Sequence, residues 1–181
     1  MGAGPTLSVV ICTRDRPQLL RRCIAAIAAQ DLDATIETIV VFDREEPDHT
    51  LELPDGPRPV RVVANRTPGL PGGRNTGVEE ARGEFLGFCD DDDVWLPTKA
   101  RRQIELLRDR PDRDVAVCGL ALVQGDRRVE RPLTLSEVTV ADLVHSRVLQ
   151  ANFTTTIVRH DAWLERIGPA DAKIPGGYAE D

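Results

Sequence analysis

Four consecutive aspartates, Asp90, Asp91, Asp92 and Asp93, are the feature of this sequence with the most chemistry to offer. Adjacent carboxylates repel one another and raise each other's pKa, a cost that a divalent cation relieves. Mg²⁺ and Mn²⁺ prefer oxygen ligands and keep several waters while bridging carboxylates to phosphates, so one or two protein ligands suffice. Alternate residues of an extended segment point the same way, which pairs Asp90 with Asp92. The competing reading is a solvated acidic turn that caps a helix opening at Pro97. The apolar run at residues 85–89 argues against it, because a solvated cap needs no buried strand to feed it. Asp43 and Asn65 also follow apolar runs directly. Arg74 lies inside the glycine-rich block 69–77 (GLPGGRNTG).

The elements that position these residues alternate in type. Residues 7–12, 37–42, 60–64, 85–89 and 115–123 are apolar or β-branched runs that read as strands. Between them, Leu20, Cys23, Ile24 and Ile27 recur at helical spacing after Pro17. Residues 69–73 form a glycine-rich turn that opens a helix over 75–82, and Pro97 starts another that runs to about residue 108. Strand and helix in alternation predict an α/β fold, a mostly parallel sheet with helices on both faces. Ligands of such sheets bind beyond the carboxyl ends of the strands, where Asp43, Asn65 and the four aspartates fall. The last third reads as a helix over 138–145, a strand over 153–158, a short helix over 161–167 and a glycine-containing loop over 174–181. No linker composition or repeat divides the chain, so one domain is expected.

Composition narrows the function. The 181 residues are 41% hydrophobic and 29% charged, as in a folded globular protein. A net charge of -7 argues against holding nucleic acid or an anionic membrane surface by counterion release. Cys12, Cys23, Cys89 and Cys118 are widely spaced, mostly in apolar runs, and lack a CxxC pair, which fits reduced thiols in a cytoplasmic protein. The first residues do not resemble a signal peptide, and no segment is apolar for the roughly 18 residues a membrane helix requires. His49, His145 and His160 show no metal-ligand spacing. Trp95 reads as a buried anchor for the following helix.

Five segments, LSVVICTRDRP (7–17), ETIVVFD (37–43), GLPGGRNTG (69–77), GEFLGFCDDDDVWLP (83–97) and GYAED (177–181), together resemble the family 2 glycosyltransferases of the GT-A fold. The GGRN and DDDD blocks at their spacing are the most specific part. The resemblance implies inverting transfer from a nucleotide-diphospho-sugar, UDP-linked by preference, with Mn²⁺ or Mg²⁺ at the acidic motif. It assigns Thr13 and Asp43 to the nucleoside pocket, Arg74 to a base or phosphate contact, and Asn75 to the same lining. Asp90 becomes a ribose-side or metal carboxylate, Asp91 joins the donor-binding residues, Asp92 becomes the metal ligand, and Asp181 the base that deprotonates the acceptor. Residues 1–125 would bind the donor and 126–181 form part of the acceptor side, the acceptor being a saccharide, a lipid-linked saccharide or a small molecule. A cytoplasmic location follows, free or peripheral at the inner face of a membrane.

The sequence departs from the family pattern in two places. Cys12 and Thr13 end the first strand where Pro-Thr is usual, and Phe42 precedes a single aspartate where a pair is common. Relatives also continue beyond the position of Asp181, so a fragment of low activity on its own is expected, since a base at a terminus lacks a packed surround. Two other readings compete. Asp90, Asp92 and Val94 fit the DxDxV opening of haloacid-dehalogenase-like phosphatases, which carry that motif at the start of the domain rather than after several strands. The other is a binding module without catalysis.

Overall fold

The computed structural model describes residues 4–145, 148, 150–171 and 173. Its strands are β1 (Leu7–Thr13), β2 (Ile36–Phe42), β3 (Val60–Ala64), β4 (Phe85–Phe88), β5 (Val115–Ala116), β6 (Leu120–Gln124), β7 (Arg127–Arg131) and β8 (Ile157–Arg159). The helices are α1 (Pro17–Ala28), α2 (Leu70–Glu80), α3 (Lys99–Asp109), α4 (Val140–His145) and α5 (His160–Ala162), the last continuing as a wide turn over Trp163–Ile167. Six strands make one sheet in the order β3-β2-β1-β4-β8-β5, with β1 to β4 parallel and β8 reversed between β4 and β5.

Alternate side chains of the central strands feed two cores. Leu7, Val9 and Ile11 of β1 pack with Leu20, Cys23 and Ile27 of α1 and with Ala100, Ile104 and Leu107 of α3. Val10 of β1 and Ile39 and Val41 of β2 pack on the opposite face with Val78 of α2, Phe88 and Trp163. Both faces are covered, which is why these strands are continuously apolar rather than alternating. Each fully buried aliphatic side chain contributes roughly 1.5–3 kcal/mol, which makes β1 and β2 the backbone of the fold's stability.

α2 docks by a different route, because it has little amphipathic character. Its small residues let the helix lie directly on the sheet: a Cβ at Gly77 would sit 2.2 Å from Val10 Cγ1. The block expected to be a turn over 69–73 is thus mostly helix. Gly69, at φ 105°, supplies the bend, and Pro71 stands in the first turn, where its missing N–H costs nothing.

Three other expectations change in detail. The run 115–123 is not one strand. The chain leaves the main sheet after Ala116, and Leu120–Gln124 pairs with Arg127–Arg131 in a separate hairpin closed at Gly125, φ 57°. The residues expected as a strand over 153–158 begin as a 3-10 turn, Phe153–Thr155, held by a capping box in which Asn152 accepts from the Thr155 N–H at 3.1 Å. The helix opening at Pro97 begins at Lys99 instead. At the amino end of the sheet, buried Glu37 accepts from Ser8 Oγ at 2.5 Å, from the Arg82 N–H at 2.7 Å and from Arg61 at 3.3 Å. Its charge is thereby satisfied at the edge opposite the acidic run. Among the described residues no helix is long and apolar enough to cross a membrane.

Candidate active site

In the order β3-β2-β1-β4, the strand neighbours of β1 lie on opposite sides and come from different crossovers, so a crevice opens between the carboxyl ends of β1 and β4. Thr13 closes β1 there, and its hydroxyl donates to Asp91 Oδ2 at 2.8 Å, bridging the crevice floor. Thr13 and Asp91 are 4% and 5% exposed. Arg16 donates to Asp91 Oδ1 at 3.0 Å and to Asp92 Oδ2 at 3.1 Å from a half-exposed position.

The four aspartates are not extended. The Asp93 N–H donates to the Asp90 carbonyl at 3.0 Å, which makes residues 90–93 a turn and corrects the alternation argument that paired Asp90 with Asp92. Curvature distributes the carboxylates: Asp91 turns inward to Thr13 and Arg16, Asp90 meets Arg74 Nη2 at 3.3 Å, and Asp92 stands half-exposed. Asp90 and Asp92 nevertheless line the same open cleft of about 460 Å³, together with Cys12, Thr13, Arg16 and Asp43.

Asp43 ties the neighbouring strand ends together. Its Oδ1 accepts from Asn65 Nδ2 at 2.8 Å and from the Gly69 N–H at 3.0 Å, so the carboxylate fixes the entry to α2 while lining the cleft. Just beyond β1 and β2, Asp15 and Arg44 adopt positive φ of 56° and 59°, conformations that side chains avoid unless their surroundings impose them. Asp15 lines the cleft, and nothing in its local sequence announces the conformation. Arg16 stands at the cap of α1 without a side-chain bond to the helix.

Arg74 is 2% exposed, and its guanidinium lies over the Phe153 ring at 3.8 Å from the centroid. It pairs with Asp90 at 3.3 Å. Asn75 is directed elsewhere. Its amide donates to the Ala170 carbonyl at 2.8 Å and accepts from the Ala170 N–H at 2.9 Å, which clamps the segment after the wide turn to α2. Trp95 is the buried anchor expected, with its indole N–H on the Thr154 carbonyl at 3.1 Å. Asp181 lies outside the described residues.

The sequence profile of Glycosyl transferase family 2 matches residues 8–167. The chain belongs to glycosyltransferase family 2. It is 32% identical over 157 residues to the succinoglycan biosynthesis protein ExoO of Rhizobium meliloti, covering 80% of this chain and 43% of ExoO. The fold is that of TarS from S. aureus crystallised with UDP, with a TM-score of 0.66 at 23% identity over 86% of this chain and 47% of TarS 1-349. It is also that of the mannosyltransferase PcManGT of Pyrobaculum calidifontis in complex with GDP-Man and Mn²⁺, with a TM-score of 0.53 at 20% identity over 64% of this chain and 36% of that one. This chain therefore spans less than half the length of these relatives. The match extends across all four parallel strands, so the DxDxV likeness to phosphatases is confined to the acidic turn.

Within this family 2 chain, burial first, and then the other carboxylates, push Asp90 above the ordinary carboxylate range, while Arg74 opposes the shift. Burial likewise raises Asp93, against the hydroxyl of Thr154. Mutual repulsion, the expected cause, is the smaller one. Cys12 on the cleft wall is pushed up to about 12 by burial, so it is a neutral thiol. Among the described residues no three His, Cys, Asp or Glu side chains gather into a metal cage. Asp90 and Asp92 both line the cleft, and carboxylate oxygens are the kind of donor that Mg²⁺ or Mn²⁺ takes, with water and phosphate completing the shell.

Proposed function

We propose that this chain is the donor-binding part of a metal-dependent, inverting glycosyltransferase that moves a sugar from a nucleoside-diphosphate sugar, UDP-linked by preference, to an acceptor hydroxyl. The observation that carries the reading is that Asp90 and Asp92 line one cleft at the carboxyl ends of β1 and β4, with the buried Arg74 paired to Asp90 behind it. Relatives crystallised with UDP and with GDP-Man and Mn²⁺ support a nucleotide donor. Residues 1–125 form the donor half and 126–181 part of the acceptor side of one domain.

In this reading Thr13 and Asp43 border the nucleoside, and Arg74 donates to a phosphate oxygen, where a planar guanidinium matches the geometry. Asn75 holds the wall of the same lining through Ala170. Asp91 keeps the acidic turn seated on β1. Asp90 and Asp92 would hold Mn²⁺ or Mg²⁺, which when bound offsets negative charge on the leaving diphosphate. The acceptor oxygen attacks the anomeric carbon as the bond from that carbon to the diphosphate breaks. Its proton passes to a carboxylate on the far side, for which Asp181 is the candidate, and a single displacement inverts the anomeric centre.

Titration with a panel of nucleoside diphosphates in the presence and absence of Mn²⁺ tests the proposal. Asp92→Asn is expected to remove most Mn²⁺-dependent affinity with the thermal midpoint kept, and unchanged affinity would overturn the assignment. Binding without sugar transfer in the full-length protein would point to a module without catalysis. In that protein Asp181→Asn should keep donor binding and lose transfer.

A further inference from the structure

We infer that Phe153 is a positioning residue for the donor site, acting through Arg74. The inference rests on the donor-site reading above. Phe153 belongs to the segment between the hairpin and β8, far in sequence from the acidic turn and from α2, and no motif marks it. Its ring carries the Arg74 guanidinium on one face at 3.8 Å. The ring is itself held by Phe88 of β4, edge-on at 4.9 Å and 85°, and by Trp163 at 6.2 Å. Phe88 and Trp163 are 5.1 Å apart, so three rings from three elements form one rigid cluster. Asn152 and Thr155 close the 3-10 turn that presents the ring, and the Thr154 carbonyl next to it accepts from Trp95, two residues beyond Asp93.

The Arg74 guanidinium is a planar fork at the end of a long side chain, and it faces Asp90 at 3.3 Å. A ring stacked on one face allows the fork to slide in its plane and prevents it from tilting out. With the guanidinium 2% exposed and the ring partly buried, the cation–π contact is stronger than one in open solvent. The fork that faces Asp90 is thereby held in one plane before any ligand arrives, which lowers the ordering cost of binding an anionic group. The second half of the chain thus contributes to donor binding without touching the donor.

The experiment compares Phe153→Leu, which keeps apolar bulk and removes the ring face, with Phe153→Trp, which restores a face. Nucleoside diphosphate affinity in the presence of Mn²⁺ should fall about tenfold in Phe153→Leu and return in Phe153→Trp. In an Arg74→Met background the same Phe153→Leu change should have no further effect on affinity, because the ring acts only through the guanidinium. Equal losses with and without Arg74, or a fall in thermal midpoint with affinity unaltered, would overturn the inference and leave the donor site standing. If Asp92→Asn and the parent bind the nucleotide alike, the donor-site reading fails instead. The Arg74 Nε–H NMR signal, read without ligand, then decides the positioning claim: it should be sharp and shifted upfield by the ring in the parent and lose that shift in Phe153→Leu. An unshifted signal in the parent would overturn it.

Discussion

Replacing Thr13 by valine removes one hydroxyl and little else, since the two side chains share their shape. In the parent that hydroxyl reaches Asp91 at 2.8 Å from the end of β1, and both residues are buried. Arg16 remains on the other oxygen, but through a side chain that is half in solvent and holds two carboxylates at once. A hydrogen bond to a charged, buried acceptor contributes roughly 1.5–3 kcal/mol, and leaving that acceptor unmet costs a similar amount. At about 2–4 °C per kcal/mol for a chain of this size, the thermal midpoint should drop by roughly 3–12 °C. Thr13→Ser restores the donor and should recover most of that loss. Circular dichroism melts of the three proteins in one buffer, without nucleotide, make the comparison. Because the bond joins β1 to the acidic turn, the valine variant should also bind nucleoside diphosphate more weakly at temperatures where it is fully folded. A valine variant melting within roughly 1 °C of the parent would refute the reasoning, because the turn would then be seated by something other than this bond.

Arg16→Gln removes the cation shared by Asp91 and Asp92, so Mn²⁺ titrated without nucleotide should bind several-fold tighter; weaker binding would show that Arg16 shapes the turn rather than competing with the ion. Lys99 rests over the Trp95 ring at 3.6 Å with no hydrogen-bond partner on its ammonium, and burial pushes its pKa down from 10.5 to about 8. The unfolded chain therefore holds this proton up to higher pH than the folded one, and the residue's burial penalty fades as pH rises between those two values. Lys99→Met should be more stable than the parent at pH 7, by no more than about 3.5 kcal/mol at roughly 1.4 kcal/mol per pH unit, with the gap closing as pH approaches 10.5 in denaturant titrations. A gap that stays constant with pH would assign the effect to packing alone. Gly77→Ala places a Cβ 2.2 Å from Val10 Cγ1 and should destabilise by about 1–3 kcal/mol, with part recovered by adding Val10→Ala; full stability in the single variant would mean that α2 moves freely on the sheet.

The central architecture was legible from the residues because it is local. Runs such as LSVVICT and IETIVVF are apolar throughout, and only a strand covered on both faces accommodates that pattern. The helix at Pro17 was equally plain from its spacing of apolar residues. The block at 69–73 misled because glycine ordinarily breaks a helix, whereas here the lack of side chains is what admits α2 to the sheet. The run at 115–123 misled because apolar continuity does not reveal which sheet a strand joins. Gly125 was the available signal for the hairpin.

By itself, the sequence determined the alternation of strands and helices, the family, and the set of candidate residues at strand ends, since each depends on residue type and short spacing. The tertiary structure alone decided how those residues are oriented. It curled the four aspartates into a turn, gave Asp91 to Thr13 and Arg16, sent Asn75 to Ala170, and brought Phe153 from the far end of the chain onto Arg74. Such pairings join residues that are distant along the chain, and their geometry is set by the packing of whole elements, which no short window of sequence encodes.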